Sequence, residues 1–562
     1  MSWPLYRLLL IVSLIPLALA ALALRNVPVP PEPAQPITVN GRAVVDQARQ
    51  FMAAHGSRPC CEPGTPGELA AARWMARELR PFDPSPQTVP FAANLAWQAN
   101  PVAMENVIAY KPGPQPGVIV VIAHRDGRSA ETAAGSALLV ELARQLDQLP
   151  LQRGVALVST DGGTTGGQGA ADLARHWPEA GQIATAIVIA SVGSATDGRL
   201  QLLLRPAVPR GTSPTAVATL SEQLQRTTRA APSLPGAYDQ LSGYAVPYAA
   251  YEQGELLQGG VPALTVSDGG PLNGPPYSAS SLDSAQLGRI GSAVATAVMQ
   301  LDVAPSIEPA GDPVLFLGGR VTRGWLVQLA LGTLLLPVLA CVLHLIAGLR
   351  RRKVPLAPGM RALVWRTSAW IVALVTLWVL TVMPGRLMPR VADVPLPGRT
   401  GVTSLGLLIT LAVPLLWWRF VSRPRLVPVA PVTGTERTGG LAAGLAGAMF
   451  ATLLLTAVNP FALVLVLPAV HAWLWLAHAA RVNRRTMLAV WAVGLVGPLA
   501  LVFELWNGQG VGSQTPRALV AMTASGYLTP AIPICLALFT AAAMQLLSLV
   551  TGRYSPPHPP AV

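Results

Sequence analysis

Apolar residues fall along this chain in two rhythms. Between residues 67 and 301, short apolar runs rich in β-branched residues (118–123, 155–159, 186–191 and 263–267) alternate with stretches whose apolar positions recur every three or four residues (67–79, 132–146, 168–177, 214–229 and 283–301). The first kind reads as strands buried on both faces, the second as amphipathic helices. Their alternation predicts an α/β domain with a largely parallel central sheet and helices on both faces. In such sheets ligands bind beyond the carboxyl ends of the strands, so polar residues just past each apolar run are where chemistry is to be sought.

Beyond Arg323 the apolar runs lengthen to the roughly 20 residues needed to cross about 30 Å of hydrocarbon. Seven spans are read there, at 325–349, 367–383, 401–417, 439–458, 461–479, 487–505 and 527–550, and an eighth precedes the α/β domain at 8–24. Composition agrees: 51% of the 562 residues are hydrophobic and only 12% are charged, against about 25% in soluble domains, which excludes a single soluble globule. Ala18-Leu19-Ala20 and Ala21-Leu22-Ala23 resemble small-residue cleavage sites, so the first span is an uncleaved anchor, the reading adopted, or a signal peptide. Five prolines between Val27 and Pro36 read as a stiff spacer. The expected order is anchor (1–24), linker (25–40), extracytoplasmic domain (41–305), seven-helix membrane domain (323–551) and cytoplasmic tail (552–562).

The formal charge of +13 raises the question of nucleic acid, and its distribution answers it. Residues 25–322 hold 20 Lys and Arg against 24 Asp and Glu, whereas from Arg323 onward there are 19 basic residues and only Asp393, Glu436 and Glu504 as acids. The excess sits between apolar spans, where the positive-inside rule puts it, so the partner implied is the lipid bilayer and not nucleic acid. Arg350, Arg351, Arg352 and Lys353 mark one cytoplasmic loop, Arg419, Arg423 and Arg425 a second, and Arg481, Arg484 and Arg485 a third. Eight spans then place both termini inside and residues 25–322 outside. Of the four cysteines, Cys341 and Cys535 lie in spans as small apolar fillers, and the adjacent Cys60-Cys61 are two thiols, an intermolecular link or a strained vicinal disulfide.

Past the first three strands come His124-Arg125-Asp126 with Glu131 downstream, Asp161-Gly162-Gly163-Thr164, and Ser191-Val192-Gly193. His-x-Asp off a strand suits a metal ligand whose imidazole tautomer is fixed by the carboxylate, although such a pair is more often ordinary hydrogen bonding. The serial order of motifs is more specific. His55-Gly56-Ser57-Arg58-Pro59, Gly64-Thr65-Pro66-Gly67-Glu68, Glu105-Asn106-Val107-Ile108-Ala109, Ala123-His124-Arg125-Asp126, the helix from Ala134 to Arg144, and Ser159-Thr160-Asp161-Gly162 before Gly166-Gly167-Gln168-Gly169-Ala170 together resemble the di-zinc exopeptidases of metallopeptidase family twenty-eight, over residues 47–301.

The resemblance implies an α/β zinc-exopeptidase-like fold and two zinc ions sharing a carboxylate and a water, with a Glu as general base. Carried over position by position, it makes His124 the first His ligand, Asp126 the carboxylate that orients it, and Glu131 the bridging carboxylate. The Glu-Glu pair of base and ligand falls on Gly163 and Thr164, a further Asp ligand on Ala190, and the last His on Ser278. Each zinc needs about four donors, yet the domain has only His55, His124 and His176 as histidines, the first in an entry loop and the last on a helix. The expectation is a pseudopeptidase with no cofactor, His124, Glu131 and Asp126 being vestigial. Zinc is implied only if His124, Glu131 and Asp161 still gather one ion.

A degraded site on a retained fold points to a binding or scaffold subunit with a protein partner or peptide ligand outside the cytoplasm. The overall plan is similar to the GPI-attachment subunit of GPI transamidase, an architectural likeness that carries no function with it. The alternatives are a membrane-anchored zinc exopeptidase and a transporter-like protein with a sensor domain. The spans disfavour the last, offering mainly His344, His471, His478, Asn459 and Glu504. His471 and His478 are read as ties between helices. The small residues from Gly439 to Gly447 mark a face for close helix packing.

Overall fold

The computed structural model describes residues 3–557 except 34–35, 56–61, 99, 128–129, 195–199, 250, 269–281, 310, 384, 386, 391–399, 427–431, 478–482 and 508–511. The chain divides into two compact units, Leu24–Gly324 and the pair Met1–Ala23 with Trp325–Val562. Helix α1 (Trp3–Leu22) belongs to the second. The first is built, in order, from β1 (Arg25–Asn26), α2 (Gly41–His55), α3 (Pro66–Glu78), β2 (Gln87–Ala93), β3 (Val102–Lys111), β4 (Gln115–His124), α4 (Ala130–Asp147), β5 (Arg153–Thr160), α5 (Gln168–His176), β6 (Ile183–Ile189) and β7 (Gln201–Leu203). It continues through α6 (Pro214–Thr228), α7 (Ala237–Ala245), α8 (Gln253–Gln258), β8 (Ala263–Ser267), α9 (Ser284–Asp302), β9 (Val314–Leu317) and β10 (Arg320–Arg323).

A seven-stranded sheet in the order β2-β3-β5-β4-β6-β8-β7 forms the frame. The central four strands, β5, β4, β6 and β8, run parallel, as their apolar runs predict. The strands β2, β3 and β7 add antiparallel margins that the apolar pattern misses, because they are only half-buried and Pro90 interrupts β2. Alternation along the central strands sorts side chains between two cores. Ile119, Val121, Leu157, Ile187 and Leu264 face a core shared with α2, α3, α4, α6 and α9. Val118, Val120, Ile122, Val158 and Val188 face one shared with Leu173 of α5 and Leu256 of α8. Helices thus cover both faces, and the fold is the zinc-exopeptidase-like α/β arrangement.

The five expected helices match α3, α4, α5, α6 and α9 to within two residues at each end. Capping explains the sharp starts: the Thr65 hydroxyl accepts from Glu68 N ahead of Pro66, and Asp283 accepts from Ala285 N and Gln286 N. His55, expected in a loop, instead ends helix α2. A small antiparallel sheet, β1-β10-β9, closes the unit beside its chain ends. The proline-rich segment runs against the α/β body, where Val27 and Ile37 pack on the first core and Gln300 Nε2 donates to the Pro30 carbonyl at 3.0 Å.

The second unit is helical. After α1 it comprises α10 (Gly324–Arg351), α11 (Ala357–Val382), α12 (Ser404–Trp417), α13 (Gly434–Val458), α14 (Leu463–Leu474), α15 (Arg484–Val493), α16 (Val496–Asn507), α17 (Thr515–Ala524) and α18 (Ala531–Val550). Among the described residues six helices are long and apolar enough to cross a membrane, and α15 with α16 make a seventh if this pair, bent by 49°, is one span. The apolar part of α1, Tyr6–Leu22, is shorter than the other spans. The expected span 487–505 is therefore a broken one. Its break coincides with close contacts: an added Cβ on Gly494 meets the Trp473 indole at 2.2 Å, and one on Gly497 meets the Leu465 carbonyl at 2.0 Å.

The small-residue face of α13 is used for close packing. Positions 439, 440, 444 and 447 lie against Pro355, Tyr554, Leu546 and Leu363 in turn. Gln545 of α18 donates to the carbonyls of Gly359 and Gly440 at 3.2 and 2.8 Å, tying α11, α13 and α18 together. His471 joins α14 to its neighbours: the Leu334 carbonyl only accepts, so Nε2 carries the proton, and Nδ1 accepts from the Tyr6 hydroxyl at 2.8 Å. His478 and Cys60-Cys61 lie outside the described residues.

A Cβ on Gly439 meets the Pro355 carbonyl oxygen at 2.6 Å, a backbone atom that cannot rotate away, whereas nothing lies within 4 Å of one on Gly332. Gly439→Val lowers the stability of the detergent-solubilised chain by about 1–3 kcal/mol, while Gly332→Ala is neutral or mildly stabilising. Thermal melts of the two variants side by side check this, and equal melting temperatures reject it.

Candidate functional site

The carboxyl ends of the parallel strands bring together His124, Arg125 and Asp126 after β4, Asp161 to Thr164 after β5, Ala190 and Ser191 after β6, and Asp268 after β8. The centre of this region is a buried guanidinium. Arg125 is 0% exposed; its Nε lies 2.6 Å from Glu68 Oε1, its Nη2 lies 3.8 Å from Asp161 Oδ2, and its nitrogens donate to the carbonyls of Ser159 and Glu105. Glu68 arrives there because Thr65 and Pro66 fix the first turn of α3. Two carboxyls share one full cation, and burial acts against both remaining charged. Burial pushes the Glu68 carboxyl well above its usual range against the pull of Arg125, and pushes Asp161 up to about 7 against the same pull.

Asp126 holds the turn that follows β5. Its Oδ1 accepts from Gly163 N at 2.7 Å, and its Oδ2 accepts from Thr164 N at 2.9 Å and from the Thr164 hydroxyl. Gly162, at φ 72°, takes the left-handed conformation that lets the chain reverse there. The turn then presses on the histidine: a Cβ on Gly163 comes within 2.3 Å of His124 Cβ and 2.5 Å of its Cγ. No side chain fits at position 163 on this backbone, least of all a glutamate. Asn106 secures the rest of the loop, donating to the Gly169 carbonyl at 2.9 Å and accepting from Asp161 N at 3.3 Å.

The partner of His124 is Glu252, just ahead of α8. Its Oε2 is 3.5 Å from His124 Nδ1, both side chains are about 2% exposed, and its Oε1 accepts from the Thr160 hydroxyl. Burial lowers the imidazole pKa, but the Glu252 carboxylate, with Asp126 behind it, raises it on balance above the ordinary value. Glu252 escapes the sequence reading because no motif surrounds it; with Glu255 it is one of two acids in the stretch ahead of β8, and nothing in the sequence sets it apart. Asp268 escapes it likewise, and its Oδ2 accepts from Ser194 N at 2.6 Å. Ser191 sits at φ 48°, uncommon for a residue other than glycine, directly after Ala190.

Zinc chemistry requires about four donors for each ion. Of the residues singled out from the sequence, His124 and Asp126 come together. Glu131 lies in the first turn of α4 with its side chain outside the description, and Ser278 lies outside the described residues. His176 is on α5, paired with Asp172 at 2.7 Å and largely exposed. Gly163, Thr164 and Ala190 supply neither carboxylate nor imidazole. Among the described residues no three His, Cys, Asp or Glu side chains are gathered so as to hold a metal ion. The described side chains do not fit a zinc pair.

Residues 106–246 match the profile of Peptidase family M28. Solved structures with a similar chain course include a glutaminyl cyclase from an Acidobacteriales bacterium (20% identity, 49% of this chain and 99% of that one, TM-score 0.40). They also include an aminopeptidase from Aneurinibacillus sp. strain AM-1 (12%, 48% and 95%, TM-score 0.39) and a zinc aminopeptidase from Bacillus subtilis (12%, 47% and 96%, TM-score 0.38). No curated protein matches this chain.

The buried acids make stability pH-dependent in a definite direction. Asp161 keeps a proton up to about pH 7 when folded and only to about pH 4 when unfolded, so the folded chain binds more protons across that window and loses stability as pH rises through it. His124 acts in the same sense: its contribution is complete below about pH 6.5 and is lost as pH rises through its raised folded value. The melting temperature of this unit, followed in the full chain, falls between about pH 5.5 and pH 8, and Asp161→Asn removes part of the fall. A flat or rising profile rejects the buried-proton account.

Proposed function

From a chain that carries a metallopeptidase domain of the M28 type beside a bundle of apolar helices, we propose a polytopic membrane protein whose peptidase-like domain binds and does not catalyse. One observation carries the reading: Asp126, the carboxylate that the family resemblance places behind the first His ligand, is engaged by the turn at 163–164. That turn leaves no room beside His124 for the missing glutamate. Thr164 and Ala190 remove two more donors. Such a domain serves as a binding or scaffold subunit of the cell envelope, with a protein or peptide as its ligand, and His124, Glu131 and Asp126 remain as vestiges of a metal site.

The arginine-rich loops support an orientation with residues 25–322 outside the cytoplasm and both termini inside. Single cysteines introduced at exposed positions of the Leu24–Gly324 unit in a Cys60→Ser/Cys61→Ser background react with a membrane-impermeant maleimide on intact cells, whereas one placed at Arg351 does not. The reverse pattern overturns the orientation.

Elemental analysis of the purified full chain, with an aminoacyl-nitroanilide assay, tests the non-catalytic reading. Well under one equivalent of zinc after dialysis and no turnover are expected. About two equivalents, with turnover abolished by His124→Ala, make the protein a membrane-anchored exopeptidase and overturn the proposal.

A further inference from the structure

The helical unit carries an apolar groove of 740 Å³ lined from α11, α12, α13 and α18. On α11 its lining positions, Met360, Val364, Thr367 and Ile371 among them, recur every three or four residues and so form one stripe of the helix. Gly447 of α13 contributes to the floor, and Trp417 and Phe450 to the walls. The groove opens outward, since Met360, Val364, Ile371 and Phe450 are exposed on the unit's surface.

Its length and its ends indicate what it holds. From Met360 to Val372 the helix rises about 18 Å, close to the roughly 15 Å depth of one leaflet's hydrocarbon. One end of the groove lies beside the basic start of α11 and the basic segment that follows α12. Met360 is one turn into α11, after Arg350, Arg351, Arg352 and Lys353, and beside Arg361. Trp417 ends α12 just before Arg419, Arg423 and Arg425. The Arg425 guanidinium lies over the Trp365 ring at 4.4 Å, and Ser368 bonds to Ser422 at 3.1 Å and accepts from Trp417 Nε1 at 3.1 Å, so the α12 end is fixed against the basic third of α11. This end of the groove carries Arg361, Arg419, Arg423 and Arg425 against one carboxylate, Glu436 in the first turn of α13, which caps its own helix by accepting from Thr433 N at 2.8 Å.

We propose that this groove seats one acyl chain of an anionic phospholipid from the leaflet on the arginine-rich side, with Arg361 and Arg425 at the mouth taking its phosphate. An apolar slot one leaflet deep suits a fatty-acyl chain, and guanidinium groups at its interfacial end supply the donors and charge that a phosphodiester needs. The site lies wholly within the helical unit and does not depend on what the peptidase-like domain binds.

Native mass spectrometry of the detergent-solubilised full chain, titrated separately with dioleoyl phosphatidylglycerol and dioleoyl phosphatidylcholine, tests it. Expected is one saturable phosphatidylglycerol per chain, bound about tenfold more tightly than phosphatidylcholine. Ala446→Trp or Val364→Trp, which fill the groove from opposite walls, each lower that affinity about tenfold, while Leu408→Trp on the exposed face of α12 leaves it unchanged. The double variant Arg361→Ala/Arg425→Ala abolishes the preference for the anionic lipid. Equal retention of the two lipids, or phosphatidylglycerol binding that survives both groove-filling variants in chains whose melting temperature is unchanged, overturns the proposal.

Discussion

A guanidinium that is taken out of water must be met by opposite charge and by acceptors for its donors, and at the end of β4 that demand organises the surrounding architecture. Arg125 has no exposed surface, and four elements converge on it. The first turn of α3 presents Glu68, β3 gives the Glu105 carbonyl, β5 gives the Ser159 carbonyl, and the loop after β5 gives Asp161. Removing one partner from such a set leaves an uncompensated buried charge at a cost of about 3–5 kcal/mol. The antiparallel margin, the parallel centre and the cap of α3 are thereby held in one register at the edge where ligands of this fold class bind.

The same demand limits the chemistry that this edge can support. A permanent cation beside Glu68 and Asp161 provides the charge balance that a metal ion provides at other clusters of acids, and its repulsion opposes a second cation nearby. Asp126 is similarly committed, with both oxygens accepting from the turn at 163–164. The His124–Glu252 contact, at 3.5 Å, is looser than these. At the strand ends Arg125 is thus engaged with Glu68 and Asp161, and Asp126 with the turn at 163–164.

How much of this was readable beforehand follows from what each feature depends on. The parallel strands and five helices were legible because their signals are local: apolar β-branched runs and three-to-four periodicity. The hairpin of β2 and β3 was not, since Glu105-Asn106-Val107-Ile108 reads as a motif before it reads as a strand, and half-buried margins lack a clean alternation. Arg125 stood in plain view between His124 and Asp126, yet its role depends on Glu68 and Asp161, which lie far from it in sequence. Glu252 is the clearest loss, 128 residues from its imidazole partner with nothing nearby to mark it. That Gly163, Thr164 and Ala190 offer no carboxylate or imidazole is plain from the sequence; that a side chain at position 163 would meet His124 required the turn and the ring to be seen together.

In the helical unit the polar groups argue for assembly over passage. A conducting pathway keeps titratable groups facing water or one another across a cavity. Here His471 is held between the Tyr6 hydroxyl and the Leu334 carbonyl, Gln545 between two backbone carbonyls, and Arg366 among Ala362, Gln545, Ser548 and the Tyr554 ring. Each joins helices, and the two carbonyls that Gln545 reaches belong to glycines whose positions allow close approach. Where the hydrophobic effect does not drive helices together, close contacts and interhelical hydrogen bonds must, and His471, Gln545 and Arg366 supply such bonds here. Among the described residues these polar contacts tie helix to helix, and the groove lined from α11, α12, α13 and α18 is apolar.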